Sequence, residues 1–387
     1  MRRIKGYISL ICLTLISCFS LLASGGVEVL RVPGGGILPD LAVDDGGVLH
    51  LIYFKGEASH GDVYYVRSGD YGRSFSKPVR VNSQPASAIA AGTVRAPHLA
   101  LGRNGLVHVA WMGSSKAEPR APAGEAPMLY TRLRPDGLGF EPQRNVLQVK
   151  TGVDGGGSLA ADPNGNVWVM WHAPGRASHS EAERQIWVAA SSDDGERFSV
   201  EESAWDKATG VCACCGMRAF ADGDGRVYVL YRSADGSGTR DVYLLISEPG
   251  GKNFKGVRVQ VWPVESCVMS TAAFWGDERG VLAAWETEQQ VFFGEISPAL
   301  PKLNELVPAP GQGANRKHPA LARNAQGQTL LVWTEGAAWR KGGRLHWQVF
   351  DRELRPLEGF QGVREDLPVW DRPAAFTRAD GTFVILY

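Results

Sequence analysis

The sequence predicts an all-β protein, a propeller of repeated four-stranded blades, and three observations lead there. One phrase recurs along the chain: a small apolar strand, a polar turn with glycine, then an apolar strand ending in an aromatic. It reads PDLAVDDGGVLHLIY at 39–53, PHLALGRNGLVHVAW at 97–111, GSLAADPNGNVWVMW at 157–171 and MRAFADGDGRVYVLY at 217–231. It returns as STAAFWGDERGVLAAW at 270–285, PALARNAQGQTLLVW at 319–333 and PAAFTRADGTFVILY at 373–387. The turn glycines Gly47, Gly105, Gly165, Gly225, Gly280, Gly327 and Gly381 fall 47 to 60 residues apart, which suits four short strands per unit. Between these hairpins lie period-2 runs such as DVYYVRS, QIWVAAS and DVYLLIS, each reading as a third strand.

Fourth strands follow in KPVRVN and GVRVQVW, whereas the last unit stops after two strands. The stretch VEVLRVP at 27–33 reads as a fourth strand with nothing before it. A ring must close to remove its sheet edges, so this stretch is expected to join the last unit. Counting hairpins gives seven blades; an incomplete seventh that completes a neighbour would give six. No long linker interrupts the series, so residues 26–387 read as one domain. The polar insertion SSKAEPRAPAGEAP at 114–127 reads as a mobile surface loop.

Composition supports a large buried core. Of 387 residues, 44% are apolar and 21% charged, and the formal net charge is zero, so nothing points to nucleic acid. Residues 1–25 read as an export signal, with a basic start and an apolar stretch. Leu15-Ile16-Ser17-Cys18 would place a lipid on Cys18, whereas Ala23-Ser24-Gly25 suits ordinary signal cleavage. Either route puts the mature protein outside the cytoplasm, as a periplasmic, secreted or membrane-anchored form, with membrane contact only through the signal or that lipid.

A sharper pattern occupies the turn after two third strands. Ser68-x-Asp70-x-Gly72-x-x-Phe75 and Ser191-x-Asp193-x-Gly195-x-x-Phe198 match each other position by position. The aspartates can accept backbone hydrogen bonds, the glycines can take positive φ, and the phenylalanines can plug between blades. A degenerate copy at 247–254 has Pro249 in the aspartate position. This pattern resembles the Asp box of the sialidase superfamily, also called the bacterial neuraminidase repeat. The resemblance implies a sialidase-like propeller over the mature chain, with the Asp boxes peripheral to any catalytic centre. It also implies an exo-sialidase or related glycoside hydrolase that holds an acidic glycan with three arginines, a Tyr–Glu nucleophile pair and an Asp acid. The chain departs from that pattern: Ile37 stands where the first arginine of the family belongs, and no Tyr–Glu pair is evident.

Arg95, Arg218, Arg316 and Arg372 do stand near the starts of inner strands, where propeller symmetry could gather them as an anion site. Equally, they could pair with Asp40, Glu265 or Asp371 and hold blades together. Glu286 and Glu335 follow second strands. Trp111, Trp171, Trp285 and Trp333 recur at one repeat position and read as packing between blades.

The most specific local feature is VCACCGM at 211–217. Cys212, Cys214 and Cys215 precede the fourth unit, and Cys267, with Met269, precedes the fifth, so adjacent blades would bring them together. Two disulfides are one reading, with 212–215 or 214–267 the comfortable pairs. A copper or zinc site is a second, and a nucleophilic cysteine near His98, His172 or His318 a third. The function classes left open are a glycan-directed enzyme, a non-catalytic propeller that binds a glycan or protein partner, and a propeller carrying a thiol metal site.

Overall fold

A computed structural model describes residues 26–175, 180–297 and 302–387. The proposed signal and Cys18 lie outside these residues. Seven sheets form seven blades. Blade one uses Ile37–Val43, Leu49–Glu57, His60–Ser68 and Val79–Arg80, and blades two to six repeat the pattern over residues 98–145, 157–203, 218–260, 273–308 and 316–367. The first strand of each blade touches the first strands of both neighbours, and that of blade seven meets that of blade one, so the ring is closed around a channel. No helix among the described residues is long and apolar enough to cross a membrane.

Closure differs in one detail from the sequence reading. Val27–Leu30 joins blade seven, but as its third strand, parallel to Phe383–Leu386, in a sheet of three. Val27 and Val29 pack with Phe383 and Ile385 against blade six. The apolar alternation of this strand suits either an inner or an outer position, so its place in the sheet could not be read from pattern.

Strands such as Val107–Met112 and Val227–Arg232 are buried along their whole length. Both faces of a blade are covered by its neighbours, so the second strands are almost continuously apolar rather than alternating. Trp111, Trp171, Trp285 and Trp333 are all buried within clusters that join adjacent blades. The seven turn glycines all have positive φ, the conformation that a tight turn demands and only glycine takes cheaply.

Both Ser-x-Asp-x-Gly-x-x-Phe turns are fastened alike. The Ser68 hydroxyl donates to Asp70 (2.7 Å) and accepts from the Gly72 amide (2.7 Å), while Asp70 accepts from the Ser74 amide (2.8 Å). Ser191, Asp193, Gly195 and the Arg197 amide repeat the arrangement. Phe198 meets Tyr130 of the preceding blade edge to face, and Phe75 packs beside Phe376 of blade seven. These turns lie at the face of the first-to-second-strand hairpins, where the Asp194 amide donates to the Gly165 carbonyl (2.9 Å). The insertion at 114–127 is tied down, in contrast to the expectation. Gln84 donates to the Lys116 carbonyl (2.8 Å), and Ala117 and Ala121 are buried.

Candidate functional site

The opposite face, where the inner strands begin, gathers the charged groups. Arg218 of blade four reaches across the channel to Asp40 of blade one and grips both carboxylate oxygens at 3.0 Å. Arg372 stands 3.9 Å from the same carboxylate, His98 3.5 Å from it, and the Leu99 amide donates to it at 2.9 Å. Burial alone would raise the Asp40 pKa; Arg218, His98 and Arg372 outweigh it and hold the carboxyl far below its ordinary range. Burial, with the guanidinium of Arg218 opposite, lowers His98 to about 4. Arg372 Nε and Nη2 have no hydrogen-bond partner. A chamber of about 70 Å³ between Arg218, Arg372 and blades five to seven is what remains of the channel here.

Above this network lies a pocket of about 250 Å³, shaped by loops that connect blades, by the start of the first strand of blade six and by the loop between that blade's second and third strands. Lys317, His318, Trp339, Trp370, Asp371 and Cys267 are among its walls. Trp339 is 55% exposed and meets Trp370 edge to face at 4.6 Å. Thr93, Met269, His318 and Trp370, all lining residues, have φ between 45° and 70°. Such non-glycine conformations cost on the order of 1 kcal/mol or more each and persist only where the surroundings impose them. His318 is buried, touches the Thr271 hydroxyl at 3.2 Å, and is kept neutral by burial and by Lys317.

Asp371 is the only carboxyl among the residues lining this pocket. It is 2% exposed. Its Oδ1 accepts from the Leu38 amide (2.7 Å) and from its neighbour's, Arg372 (2.8 Å), while Oδ2 has no partner. Burial is the main cause of a pKa pushed up to about 7, against the pull of these amides and of Arg31 and Arg372. A second buried carboxyl, Glu286 of blade five, also has an unpartnered oxygen and is raised by burial, with Lys317 and Arg232 opposing.

The four arginines singled out in the sequence do not form one ring. Arg218 and Arg372 converge on Asp40. Arg95 stands near the pocket, its guanidinium beside Gly92, but is engaged by the Asp154 carboxylate (2.6 Å) and carbonyl (2.7 Å) and by the Ala91 carbonyl (2.8 Å). Arg316 lies between blades five and six, bonded to Glu335 (2.8 Å), Gln290 (3.1 Å) and the Ala309 carbonyl (2.8 Å), with Trp333 beneath its guanidinium. Cys212 is bonded to Cys215, and Cys214 to Cys267, in the same upper region as Met269. His172 Nδ1 accepts from Arg184 Nε (3.1 Å), and the Cys215 backbone lies near its ring. A larger cavity, about 830 Å³, opens at the hairpin face between Asp222, Arg226, Asp277 and Arg279, with no buried, unpartnered carboxyl among its walls.

Sequence reasoning counted Asp371 only as a counter-charge for an arginine and passed over Lys317, Trp339 and Trp370. The tryptophans Trp339 and Trp370 stand outside the repeating aromatic position, and that departure from the repeat was the available signal.

No family model matches the chain, and no curated protein does. Solved structures do resemble it. An α-L-arabinanase of Penicillium chrysogenum, solved with arabinobiose, matches with a TM-score of 0.50 at 14% identity, over 84% of this chain and 95% of the other. A Hadza microbial sialidase matches with a TM-score of 0.50 at 12% identity, over 83% and 70%. An α-L-arabinofuranosidase of Fusarium graminearum, solved with an iminosugar inhibitor, matches with a TM-score of 0.50 at 12% identity, over 80% and 92%. At these identities the likeness is one of fold, the sialidase-like propeller.

Proposed function

We propose that this protein is an extracytoplasmic glycoside hydrolase that takes an acidic glycan in the upper pocket, with Asp371 as proton donor. The observation that carries this reading is Asp371 itself: a buried carboxyl, raised to about 7, with one oxygen unpartnered, in the wall of a pocket flanked by two tryptophans. A group half-protonated near neutral pH suits proton transfer to a departing glycosidic oxygen. Trp339 and Trp370 offer apolar faces for a sugar ring, and Lys317 and Lys341 bring positive charge for an acidic substituent. Glu286, the other buried carboxyl with an unpartnered oxygen among the groups described above, is not among the residues lining the pocket and takes no part in this proposal. The fold is shared with proteins that act on glycans, and two disulfides suit an oxidising compartment. The arginines are not assigned to the substrate, because Arg218 is committed to Asp40.

A second reading is a non-catalytic glycan-binding propeller, favoured by the presence of a single carboxyl in the pocket wall. Fluorogenic glycosides of sialic and uronic acids separate the two. Turnover by the wild type that disappears in Asp371→Asn, with binding kept, supports the hydrolase. Binding that depends on Trp339 without turnover supports the second reading. Neither binding nor turnover refutes both.

A further inference from the structure

The two disulfides lie sulfur against sulfur, because three of their four cysteines fall within four positions of the chain. Cys212 Sγ is 3.7 Å from Cys214 Sγ, its neighbour in the other bond, and the Sγ atoms of Cys212, Cys214 and Cys267 all lie within 4.8 Å of one another. Cys215 is bonded to Cys212, so all four cysteines of the propeller share one spot where the loop before blade four meets the loop before blade five. The burial is graded: Cys212 and Cys215 are buried, Cys214 is half-buried and Cys267 is exposed on the pocket wall.

A metal ion bound to thiolates at about 2.3 Å holds its sulfurs about 3.7–4.0 Å apart. The Cys212–Cys214 separation already has that value, and Cys267 Sγ lies within 4.8 Å of both; once the bonds are opened, Cys267 parts from Cys214, and Cys215 from Cys212, toward the same spacing. The donor set selects the ion. Thiolates and thioethers favour copper(I), and the vicinal Cys-x-Cys-Cys spacing is not that of a structural zinc site. Met269, two residues beyond Cys267 and held at φ 45°, adds a thioether to the same pocket wall.

We propose that reduction of both disulfides converts this cluster into a binding site for one copper(I) ion. Opening the site uses two equivalents of an external dithiol. A dithiol thiolate attacks Cys267 Sγ and releases Cys214 as thiolate; the second sulfur of the reagent then displaces Cys267 and leaves as a cyclic disulfide. The Cys214 thiolate, beside Cys212, attacks it and releases Cys215, forming a Cys212–Cys214 bond that the second dithiol reduces in the same way. Four electrons enter, two reagent disulfides leave, and copper(I) displaces thiol protons to solvent as it binds. This inference is independent of the glycan reading, since it needs neither Asp371 nor the tryptophans.

The test uses the full chain in a Cys12→Ser/Cys18→Ser background, so that only these four thiols count. The protein is reduced with dithiothreitol, desalted without oxygen and titrated against copper(I) held by a coloured chelator, with circular dichroism followed in parallel. The expected result is one equivalent of copper(I) taken from the chelator by the reduced chain and none by the oxidised chain. Cys214→Ser and Cys267→Ser should each lose the ion, and zinc(II) bound beforehand should be displaced. Should reduction alone loosen the fold, copper(I) must restore the β spectrum. A reduced chain that leaves copper with the chelator, uptake unchanged in both variants, zinc retained against copper(I), or a loosened fold that copper(I) leaves unrestored would each overturn the proposal.

Discussion

Arg218 and Asp40 join blade four to blade one across the propeller channel through two parallel hydrogen bonds of 3.0 Å. Asp40 is 6% exposed at its side chain and Arg218 18%, so the pair works in a poorly solvated place. Removing one partner strands the other charge; Asp40→Asn or Arg218→Met should each cost about 3–5 kcal/mol, the usual penalty for breaking a buried pair. The double variant should cost less than the sum of the two, because neither charge is left alone. Denaturant unfolding of the four proteins reads this directly. An Arg218→Met variant of wild-type stability that loses glycan binding would return Arg218 to the role of substrate clamp.

Asp371 gives stability an unusual pH dependence. Its folded pKa of about 7 lies above the ordinary carboxyl value of 3.8. Between those values the folded protein keeps a proton that the unfolded chain releases, so stability falls as pH rises through the window, by about 1.4 kcal/mol per unit at most. Below it both states are protonated and the group contributes nothing. Asn at 371 keeps the acceptor for the Leu38 and Arg372 amides and cannot ionise. Asp371→Asn should therefore gain on the wild type as pH goes from 5 to 8, which melting curves across that range would show.

The buried histidines act at the acid end. His98 is lowered to about 4 and His108 and His172 to about 3, burial being the first cause in each and a nearby arginine the second. Each folded pKa lies below the unfolded value of 6.5, so their contribution is complete above pH 6.5 and is lost as pH falls. Stability should drop below pH 6.5 with a slope of about 1.4 kcal/mol per unit for each histidine protonated only on unfolding. Replacing His108 with Gln should shallow that slope in an acid titration followed by tryptophan fluorescence.

The Ser-x-Asp-x-Gly-x-x-Phe turns should matter for stability alone. Asp193 accepts from the Ser191 hydroxyl and the Arg197 amide at the face away from the upper pocket. Asp193→Ala should cost about 1–2 kcal/mol, since it leaves backbone and hydroxyl donors without their acceptor. Turnover or glycan affinity per folded molecule should stay unchanged.

The fold was legible because it is written seven times. Each hairpin needs a positive-φ glycine and a buried second strand, so Gly47 to Gly381 and the aromatic ends stand out at a steady spacing. The cysteine pairing was legible in part, because Cys215 and Cys267 hold equivalent places in adjacent units. The pocket was not. Thr93, Met269, Trp339 and Asp371 come from four different loops and His318 from the first strand of blade six, and their convergence depends on how each loop folds over the channel mouth. Propeller symmetry brought Arg218 and Arg372 together as the repeat suggests. The pairing with Asp40 was one of the two readings open in the sequence, and Arg218 adopts it; the repeat could not reveal that Arg95 would turn to Asp154 or that Arg316 would turn to Glu335. Those choices rest on the local carboxylates and carbonyls, which the repeat does not encode.

The central claim is that Asp371 donates a proton to an acidic glycoside held in the upper pocket. The most direct measurement is the pH profile of kcat/KM on a fluorogenic acidic glycoside for the wild type, Asp371→Asn and Trp339→Ala. The profile should show a basic limb that falls above about pH 7, the value to which burial raises Asp371. That limb should vanish with the activity in Asp371→Asn, while Trp339→Ala should raise KM and leave kcat near the wild-type value. Turnover that survives in Asp371→Asn with the same basic limb would contradict it.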